Sequence, residues 1–226
     1  VAGQLGRRVL LLDHAEILGE KIRISGGGRC NFTNLHSNSK NFLAMNPHFV
    51  KGPLARYTSQ HFINLVQEYG IAFHEKHQGQ LFCDGSAKAI IELLLKECQI
   101  GKVELRHPIV VQAISQHESD WLVNTHQGDF LGSNLVIATG GLPVPAIGAS
   151  DFALQFAKQQ NIPIVDPRPA LVPLAFTSGI FSSMEEFADL SVTVEINAGS
   201  AKKHYGLGHF REALLITHKG LSGPAV

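Results

Sequence analysis

Apolar residues near the start of the chain follow the spacing of alternating strands and helices. Residues 8–13 (RVLLLD) contain a short continuous apolar run, which is typical of a parallel strand covered on both faces. Residues 58–70 have apolar positions every three or four residues, with Thr58 or Ser59 as a cap and Gly70 as a stop, which predicts a helix. Residues 86–98 predict a second helix. Its inward face is expected to hold Ile90, Leu93, Leu94 and Leu95.

Shorter apolar runs predict strands around these helices. The runs at residues 109–114, 121–125 and 130–131 follow one another at close spacing, as the strands of a β-meander do. Residues 135–138 (LVIA) predict a buried strand that ends in Thr139, Gly140 and Gly141, where a ligand can approach the backbone closely. The other strand candidates are residues 71–73, 81–83 and 103–105.

The pattern changes after a predicted helix at residues 151–160. Four prolines between residues 163 and 173, with no helical period among them, indicate an extended connector between domains. Beyond it, residues 190–196 alternate as an antiparallel strand does, and an apolar run leads into a glycine-rich turn. We therefore expect one domain over residues 1–172 and the beginning of a β-rich domain over residues 173–226. Both ends look internal, which favours a piece of a longer protein.

Composition then narrows the classes of partner. The 226 residues contain 19 Lys and Arg against 19 Asp and Glu, and the pI is near 7.3. A neutral chain has no electrostatic footprint for nucleic acid or anionic lipid, so we expect no nucleic-acid partner and no membrane partner. Cys30, Cys83 and Cys98 are odd in number and lack C-x-x-C spacing, so neither a disulfide framework nor a metal site is expected. The predicted compartment is the cytoplasm.

The strongest candidate for chemistry is residues 22–34 (IRISGGGRCNFTN). Three consecutive glycines tolerate positive φ and can turn their amides toward an anion, and Arg29 adds a guanidinium that recognises phosphate in a bidentate manner. A merely flexible loop has the same composition, so this motif alone leaves both interpretations open. Upstream, Asp13 ends a predicted strand, where dinucleotide-binding folds place a carboxylate against ribose hydroxyls. A strand followed by a polar loop fits Asp13 as well.

Four segments resemble one family. ISGGGRCNFTN, LVIATGGLPVPAIGA, PALVPL and THKGLSGPAV are similar to segments of the bacterial BaiN/YhiN-type flavoproteins, which include aminoacetone oxidase-like enzymes. The resemblance implies an α/β fold, with a glutathione-reductase-like, Rossmann-type FAD domain interrupted by an inserted β-barrel-like domain. The cofactor that it implies is FAD.

The same resemblance implies a set of cofactor-binding residues. Asp13 matches the acidic residue on the adenosine ribose, and Val111 falls where related domains read adenine through the backbone. Two departures stand out: a G-x-G-x-x-G loop is absent, and residues 148–152 (GASDF) replace a glycine-rich G-S-T-G-D-G-Y segment. The full set is Asp13, Lys21, Gly27, Gly28, Arg29, Cys30, Asn31, Val111, Thr139, Gly140 and Gly141.

Two residues are weak candidates for catalysis. Cys30 can relay electrons beside a flavin or can simply pack, and packing is favoured because free cysteines are mostly buried. His218 can reach the substrate side of the flavin or can brace the SGP turn, and bracing is slightly favoured. Neither residue has an acid–base role that the sequence alone assigns.

The leading hypothesis is an FAD-dependent oxidoreductase that acts on a small organic substrate, with NAD(P)H or O₂ as its redox partner. The substrate is expected over the flavin, between the two domains. A non-catalytic flavin- or nucleotide-binding redox sensor is the alternative from another class. A tRNA-modifying flavoprotein is disfavoured by the neutral charge. Residues 1–226 alone are expected to bind FAD weakly or not at all, and the oligomeric state stays open.

Overall fold

The computed structural model describes residues 1–42, 44–169, 172–176, 186–198 and 208–226. The chain divides into two compact units, Val1–Asn161 and Ile162–Val226. The sequence predicted a domain boundary after residue 172, within the second unit, and a β-rich domain beginning at residue 173. Parts of that prediction lie outside the described residues. Among the helices of the described residues, none is long and apolar enough to cross a bilayer.

The first unit begins with a parallel pair of strands. Strand β1 (Leu10–Leu12) pairs with β5 (Glu104–Arg106), with Leu11 opposite Leu105. This pair confirms that the RVLLLD run is a strand of parallel type. Asp13 extends the pairing, because its amide donates to the Arg106 carbonyl at 3.1 Å. The carboxylate of Asp13 therefore leaves the chain where strand β1 ends.

A small antiparallel sheet packs against the core of the first unit. Its strands are β2 (Asn31–Asn34), β3 (Phe73–Glu75) and β4 (Gln80–Cys83), in the order β2-β4-β3. The predicted hairpin at residues 77–79 joins β3 to β4. The helices of this unit are α1 (Glu20–Ile24), α2 (Lys51–Arg56), α3 (Ser59–Glu68), α4 (Lys88–Ile100) and α5 (Phe152–Gln159).

Helices α3 and α4 begin and pack for reasons that the sequence contains. Thr58 caps α3, since its hydroxyl accepts from the His61 amide while the His61 ring accepts from the Thr58 amide at 3.0 Å. The core joins side chains of both helices with residues of the sheet. Its buried members are Cys30, Val66, Cys83, Ala87, Ile90 and Leu93. Leu94 was expected inward and is exposed, because a one-residue step of 100° turns it away from the stripe that holds Leu93.

The predicted meander is present. Strands β6 (Val111–His117), β7 (Asp120–Thr125) and β8 (Gly128–Gly132) pair antiparallel in that order. The buried strand predicted over residues 135–138 is wrong: this segment has no strand, and Val136 is 83% exposed. An apolar run becomes a strand only when a neighbouring strand completes its hydrogen bonds, and no described strand pairs with this one.

The second unit is an antiparallel sheet over its described residues. Strands β9 (Leu174–Ala175), β10 (Ser191–Ala198), β11 (Gly208–Thr217) and β12 (Gly220–Ser222) lie in the order β10-β11-β12-β9. The predicted strand at residues 190–196 corresponds to β10. His218 is exposed in the turn between β11 and β12. The Thr217 hydroxyl closes that turn by donating to the Gly220 carbonyl at 3.0 Å.

Candidate functional site

The glycine run forms a tight turn between α1 and β2. Gly26, Gly27 and Gly28 all have positive φ, at 57°, 67° and 83°. A Cβ atom built on Gly26 would lie 2.7 Å from the Phe82 ring, whereas nothing lies within 4 Å of one built on Gly27. The turn therefore packs against β4 through Gly26 and is open at Gly27.

Backbone hydrogen bonds fix this turn to the core. The carbonyl of Arg29 accepts from the Cys83 amide at 3.0 Å, and the carbonyl of Gly28 accepts from the Ala87 amide at 2.8 Å. The amides of Arg29 and Cys30 close the turn itself, by donating to Gly26 and Ser25 carbonyls. Those two amides are consequently occupied, so an anion here would be met by the Arg29 guanidinium and the glycines. The interpretation as a flexible loop does not fit a turn held in this way.

Arg29 and Cys30 leave this turn in opposite directions. The Arg29 side chain is exposed and, within the part of the chain that the structure describes, has no hydrogen-bond or ion-pair partner. Cys30 is 5% exposed and belongs to the core. A fixed backbone with an unpaired guanidinium on its outer side is an arrangement suited to an anionic group.

Cys30 has a neighbour that its sequence position does not reveal. Strand pairing places Asn31 opposite Phe82, so the next positions, Cys30 and Cys83, both reach the same buried cluster. Burial and then the proximity of Cys30 raise the pKa of the Cys83 thiol to about 11. Both thiols are free. Their burial agrees with packing as the role of Cys30.

Lys21 and Asn31 flank the turn. Lys21 is exposed on α1. With its amide in the orientation that satisfies its hydrogen bonds, Asn31 donates to the carbonyls of Thr33 and Leu81 at 3.1 and 3.3 Å. Asn31 thus supports strand pairing. The neighbouring Arg23 is already paired, because its Nε donates to the Glu20 carboxylate at 2.6 Å. This ion pair lowers the pKa of Glu20.

A cavity of about 270 Å³ lies beside Asp13, near the other end of α1. The chain segment after β1 forms one wall and a short 3₁₀ turn, Pro145–Ile147, contributes to the other. Gly148 has a φ of 86°, which favours glycine, and a Cβ atom there would lie 2.4 Å from His14 Nε2 unless the His14 ring moved. The lining residues are His14, Ala15, Glu16, Ile17, Glu20, Ala146, Ile147 and Gly148. Sequence patterns did not reveal this cavity, because its walls are over a hundred residues apart.

The Asp13 carboxylate is fixed in place next to this cavity. Its Oδ1 accepts from the Ala15 amide at 2.9 Å, and its backbone carbonyl accepts from the Ile109 amide at 2.7 Å. The second bond brings Val111, two residues further along, into the same neighbourhood. Carboxylates such as Asp13 and Glu20 accept hydrogen bonds from hydroxyls and repel phosphates. Beside the cavity, the Asp13 carboxylate therefore suits a sugar hydroxyl better than a phosphate.

The structure brings some of the predicted residues together and leaves others apart. Helix α1 joins the cavity to the glycine turn and is only about 8 Å long, at ~1.5 Å per residue over its five residues. Thr139, Gly140 and Gly141 are exposed and do not line the cavity. Val111 lies at the start of β6, opposite Thr125. Across the described ranges, no group of three or more His, Cys, Asp or Glu converges as metal ligands do.

Comparison with known proteins identifies the class. The profile of the HI0933-like protein Rossmann domain matches residues 1–222, so the chain belongs to the HI0933-like family. This is the Rossmann-type, FAD-binding family that contains the BaiN/YhiN-type flavoproteins, and the resemblance seen in the sequence is confirmed. The family supports an α/β flavin oxidoreductase fold. An inserted barrel is not part of what this match shows.

Three curated relatives sharpen this placement. The chain is 43% identical over 226 residues, all of its length, to "Ribosomal RNA dihydrouridine synthase" of Escherichia coli (strain K12), covering 55% of that protein. It is 41% identical over 227 residues to the Haemophilus influenzae protein of the same name, covering 99% of this chain and 55% of the relative. It is 23% identical over 168 residues to "3-dehydro-bile acid delta(4,6)-reductase" of Clostridium scindens, covering 74% of this chain and 41% of the relative.

These relatives correct one expectation and show how much of a relative's length this chain covers. The expectation of no nucleic-acid partner is wrong, because two relatives that match practically the whole chain are named for ribosomal RNA. The argument from a neutral net charge failed, since a net charge says nothing about how charges are distributed along the chain. The chain spans about half the length of the curated relatives it matches.

Proposed function

We propose that the full-length protein is an FAD-dependent reductase that converts a uridine of ribosomal RNA to dihydrouridine. The observation that carries this proposal is the 43% identity to an Escherichia coli protein of that name over the whole chain. The relative from Clostridium scindens is also named as a reductase. A reduction that adds hydrogen is therefore favoured over an oxidase reaction with O₂, and NAD(P)H is the proposed electron donor.

Several residues of this chain would hold the cofactor. Asp13, beside its cavity, would accept hydrogen bonds from the adenosine ribose, and Val111 would contribute backbone groups to the adenine. Gly27, Gly28 and Arg29, supported by Lys21, would face the negatively charged or flavin-side part, and Cys30 and Asn31 would keep the turn in shape. Thr139, Gly140 and Gly141 stay as proposed contacts from sequence alone.

The chemistry divides between the cofactor and the protein. Dihydrouridine has two more hydrogen atoms than uridine, so its formation needs a hydride equivalent and a proton, and FAD, when bound and reduced, supplies the hydride equivalent. This chain's residues bind and orient. The hydrogen-bonded glycine turn fixes the backbone from which Arg29 projects, and the hydrogen bond from Ala15 fixes the Asp13 carboxylate. Groups fixed before binding lose less entropy when the ligand arrives.

Two broader features belong to the same proposal. Residues 173–226 are proposed to begin an inserted β-rich domain, and the protein is proposed to act in the cytoplasm, where ribosomal RNA is present. A second candidate is a reductase of a small molecule, which the Clostridium scindens relative supports at 23% identity. The higher identity to the ribosomal RNA enzymes ranks the RNA substrate first.

The direct test uses ribosomal RNA from a strain that lacks this gene. Full-length protein with FAD and NADPH or NADH is incubated with that RNA, and nucleosides are analysed by mass spectrometry. The proposal predicts dihydrouridine at a defined position, only when FAD and the nicotinamide are both present. No dihydrouridine, together with flavin reduction by NAD(P)H and reoxidation by a small enone, would replace the RNA substrate with the second candidate.

A further inference from the structure

Acidic residues are absent from one long stretch of the chain. Between Lys21 and Gln67 there are six Lys and Arg residues and no Asp or Glu. The rest of the chain therefore carries all 19 acidic residues against 13 basic ones, a formal net charge of −6. A chain that is neutral overall thus contains a strongly cationic segment. This segregation is what the net charge concealed.

Basic and aromatic side chains are interspersed on the exposed part of this stretch. Residues 40–56 contribute what we call the acid-free surface, defined by the exposed side chains of Lys40, Phe42, Phe49, Lys51 and Arg56. Phe49 is 75% exposed, although burying a phenylalanine is usually favourable by about 2 kcal/mol. The three cations have no ion-pair partner among the described residues.

The segment that carries this surface is ordered by local bonds. Phe49 and Lys51 donate their amides to the carbonyls of Asn46 and His48, at 3.2 and 3.1 Å, and this turn leads directly into α2. On the other side, Asn38 caps the turn Ser39–Asn41 by accepting from the Lys40 amide at 2.9 Å. The cations and rings are thus presented on short turns.

We propose that the acid-free surface binds the RNA substrate, with its cations on phosphates and its phenylalanine rings against unpaired bases. Lys and Arg supply most of the affinity for a nucleic-acid backbone, and exposed aromatic rings stack on bases of loops and single strands. This inference rests on the proposed function for the identity of the RNA. It adds where on this chain the RNA docks.

RNA is a better occupant than an anionic lipid surface because of what the relatives act on according to their names. A peptide partner is less suited, since a peptide would have to carry several acidic residues to pair with Lys40, Lys51 and Arg56. Unpaired regions of RNA offer phosphates to the cations and base faces to the rings.

The test compares two triple variants of the full-length holoprotein with the same change in charge. K40Q/K51Q/R56Q removes the cations of the acid-free surface, and K88Q/K96Q/K102Q removes three exposed lysines on and just after α4. Binding to protein-free ribosomal RNA is measured at several salt concentrations. The first variant should bind at least about tenfold more weakly and reduce the slope of log K against log salt by about 2, from ~0.7 per lost contact. The second should change neither.

A second pair tests the rings. F49A should weaken RNA binding by about fivefold or more, because stacking on a base is worth ~1–3 kcal/mol. The control I100A removes an exposed side chain at the end of α4 and should leave RNA binding unchanged. FAD content and the rate of flavin reduction by NAD(P)H should be unchanged in all four variants.

The outcomes separate this inference from the proposed function. Equal RNA binding by both triple variants overturns the inference that the acid-free surface binds RNA, even if the wild type makes dihydrouridine. Loss of FAD or of thermal stability in K40Q/K51Q/R56Q also overturns it, since those side chains would then be contacts within the folded protein. If K40Q/K51Q/R56Q binds anionic vesicles more weakly but binds RNA as the wild type does, the acid-free surface binds a membrane and the inference is overturned. If the first variant loses RNA binding while the wild type makes no dihydrouridine, the surface stands and the proposed reaction fails.

Discussion

The backbone amide of Cys83 donates a hydrogen bond of 3.0 Å to the carbonyl oxygen of Arg29. Cys83 is fully buried at the end of β4, and Arg29 follows three glycines of positive φ. This bond ties the backbone of Arg29, whose guanidinium is exposed, to the most buried part of the unit. A functional side chain on a turn gains precision in this way, because its backbone cannot move without disturbing the core.

The glycine turn should tolerate substitution at Gly27 better than at Gly26. Both G26A and G27A should lower the free energy of unfolding by about 1 kcal/mol, because each places a side chain at positive φ. Only at Gly26 does the new Cβ also meet the Phe82 ring and the Asn31 amide, at 2.7 and 2.8 Å, which should cost about 1–3 kcal/mol more. Chemical denaturation of the full-length apoprotein measures the difference. Equal stability of the two variants would mean that the turn does not pack against β4 as described.

Arg29 should matter for FAD affinity and not for folding. R29Q removes a charge-assisted hydrogen bond of about 1.5–3 kcal/mol, so FAD should bind about 10- to 100-fold more weakly. The control R7Q removes another exposed arginine, which lies before β1. Reconstitution of apoprotein with FAD, followed by fluorescence, gives both dissociation constants. Unchanged FAD affinity in R29Q, with R7Q as reference, would remove Arg29 from the cofactor site.

Adjacent leucines on α4 provide a test of the core. Leu93 is 1% exposed, and L93A should destabilise the protein by about 3 kcal/mol through lost burial and a cavity. Leu94 is 37% exposed, and L94A should cost less than about 1 kcal/mol. Urea unfolding of both variants provides the comparison. A larger cost for L94A would show that another part of the full-length protein covers this face.

Glu97 should give the protein a stability contribution that depends on pH. Hydrogen bonds from Tyr69 and Gln4 lower its pKa, and the Tyr69 hydroxyl donates to it at 2.6 Å. A carboxyl with a lowered pKa stabilises the folded state above its unfolded pKa, and the effect disappears as the pH falls through the folded pKa.

The variant E97Q should therefore be less stable than the wild type at pH 7 and should approach it below about pH 4, near the unfolded pKa of a glutamate. E92Q, on the same helix and exposed, is the control and should show no such trend. Denaturation at a series of pH values measures both. A constant difference between E97Q and the wild type across pH would contradict the role of ionised Glu97.

Local patterns predicted the elements whose signals are contained in a few neighbouring residues. Thr58 at the start of α3 and the turn at residues 77–79 are examples, since a cap and a hairpin depend on residues within reach of one another. Residues 135–138 failed because a strand needs a partner that its own sequence does not specify. The cavity beside Asp13 was missed for the same reason, as Gly148 meets His14 only after folding.

The prediction of no nucleic-acid partner, made from net charge, failed for a different reason. The net charge of zero is right for the whole chain, but summing the charges over 226 residues cancelled the cationic segment against the acidic remainder. Lys40, Lys51 and Arg56 were visible in the sequence without any structure. A running count of charge along the chain would have shown the signal, whereas exposure of Phe42 and Phe49 required the fold.

The most direct measurement couples flavin to RNA in a single turnover. The FAD of the full-length protein is reduced without oxygen, excess reductant is removed, and ribosomal RNA lacking the modification is added while flavin absorbance is followed. The account predicts reoxidation of the flavin and one dihydrouridine for each flavin reoxidised. Flavin that stays reduced in the presence of the RNA, or that is reoxidised without any dihydrouridine, would contradict it.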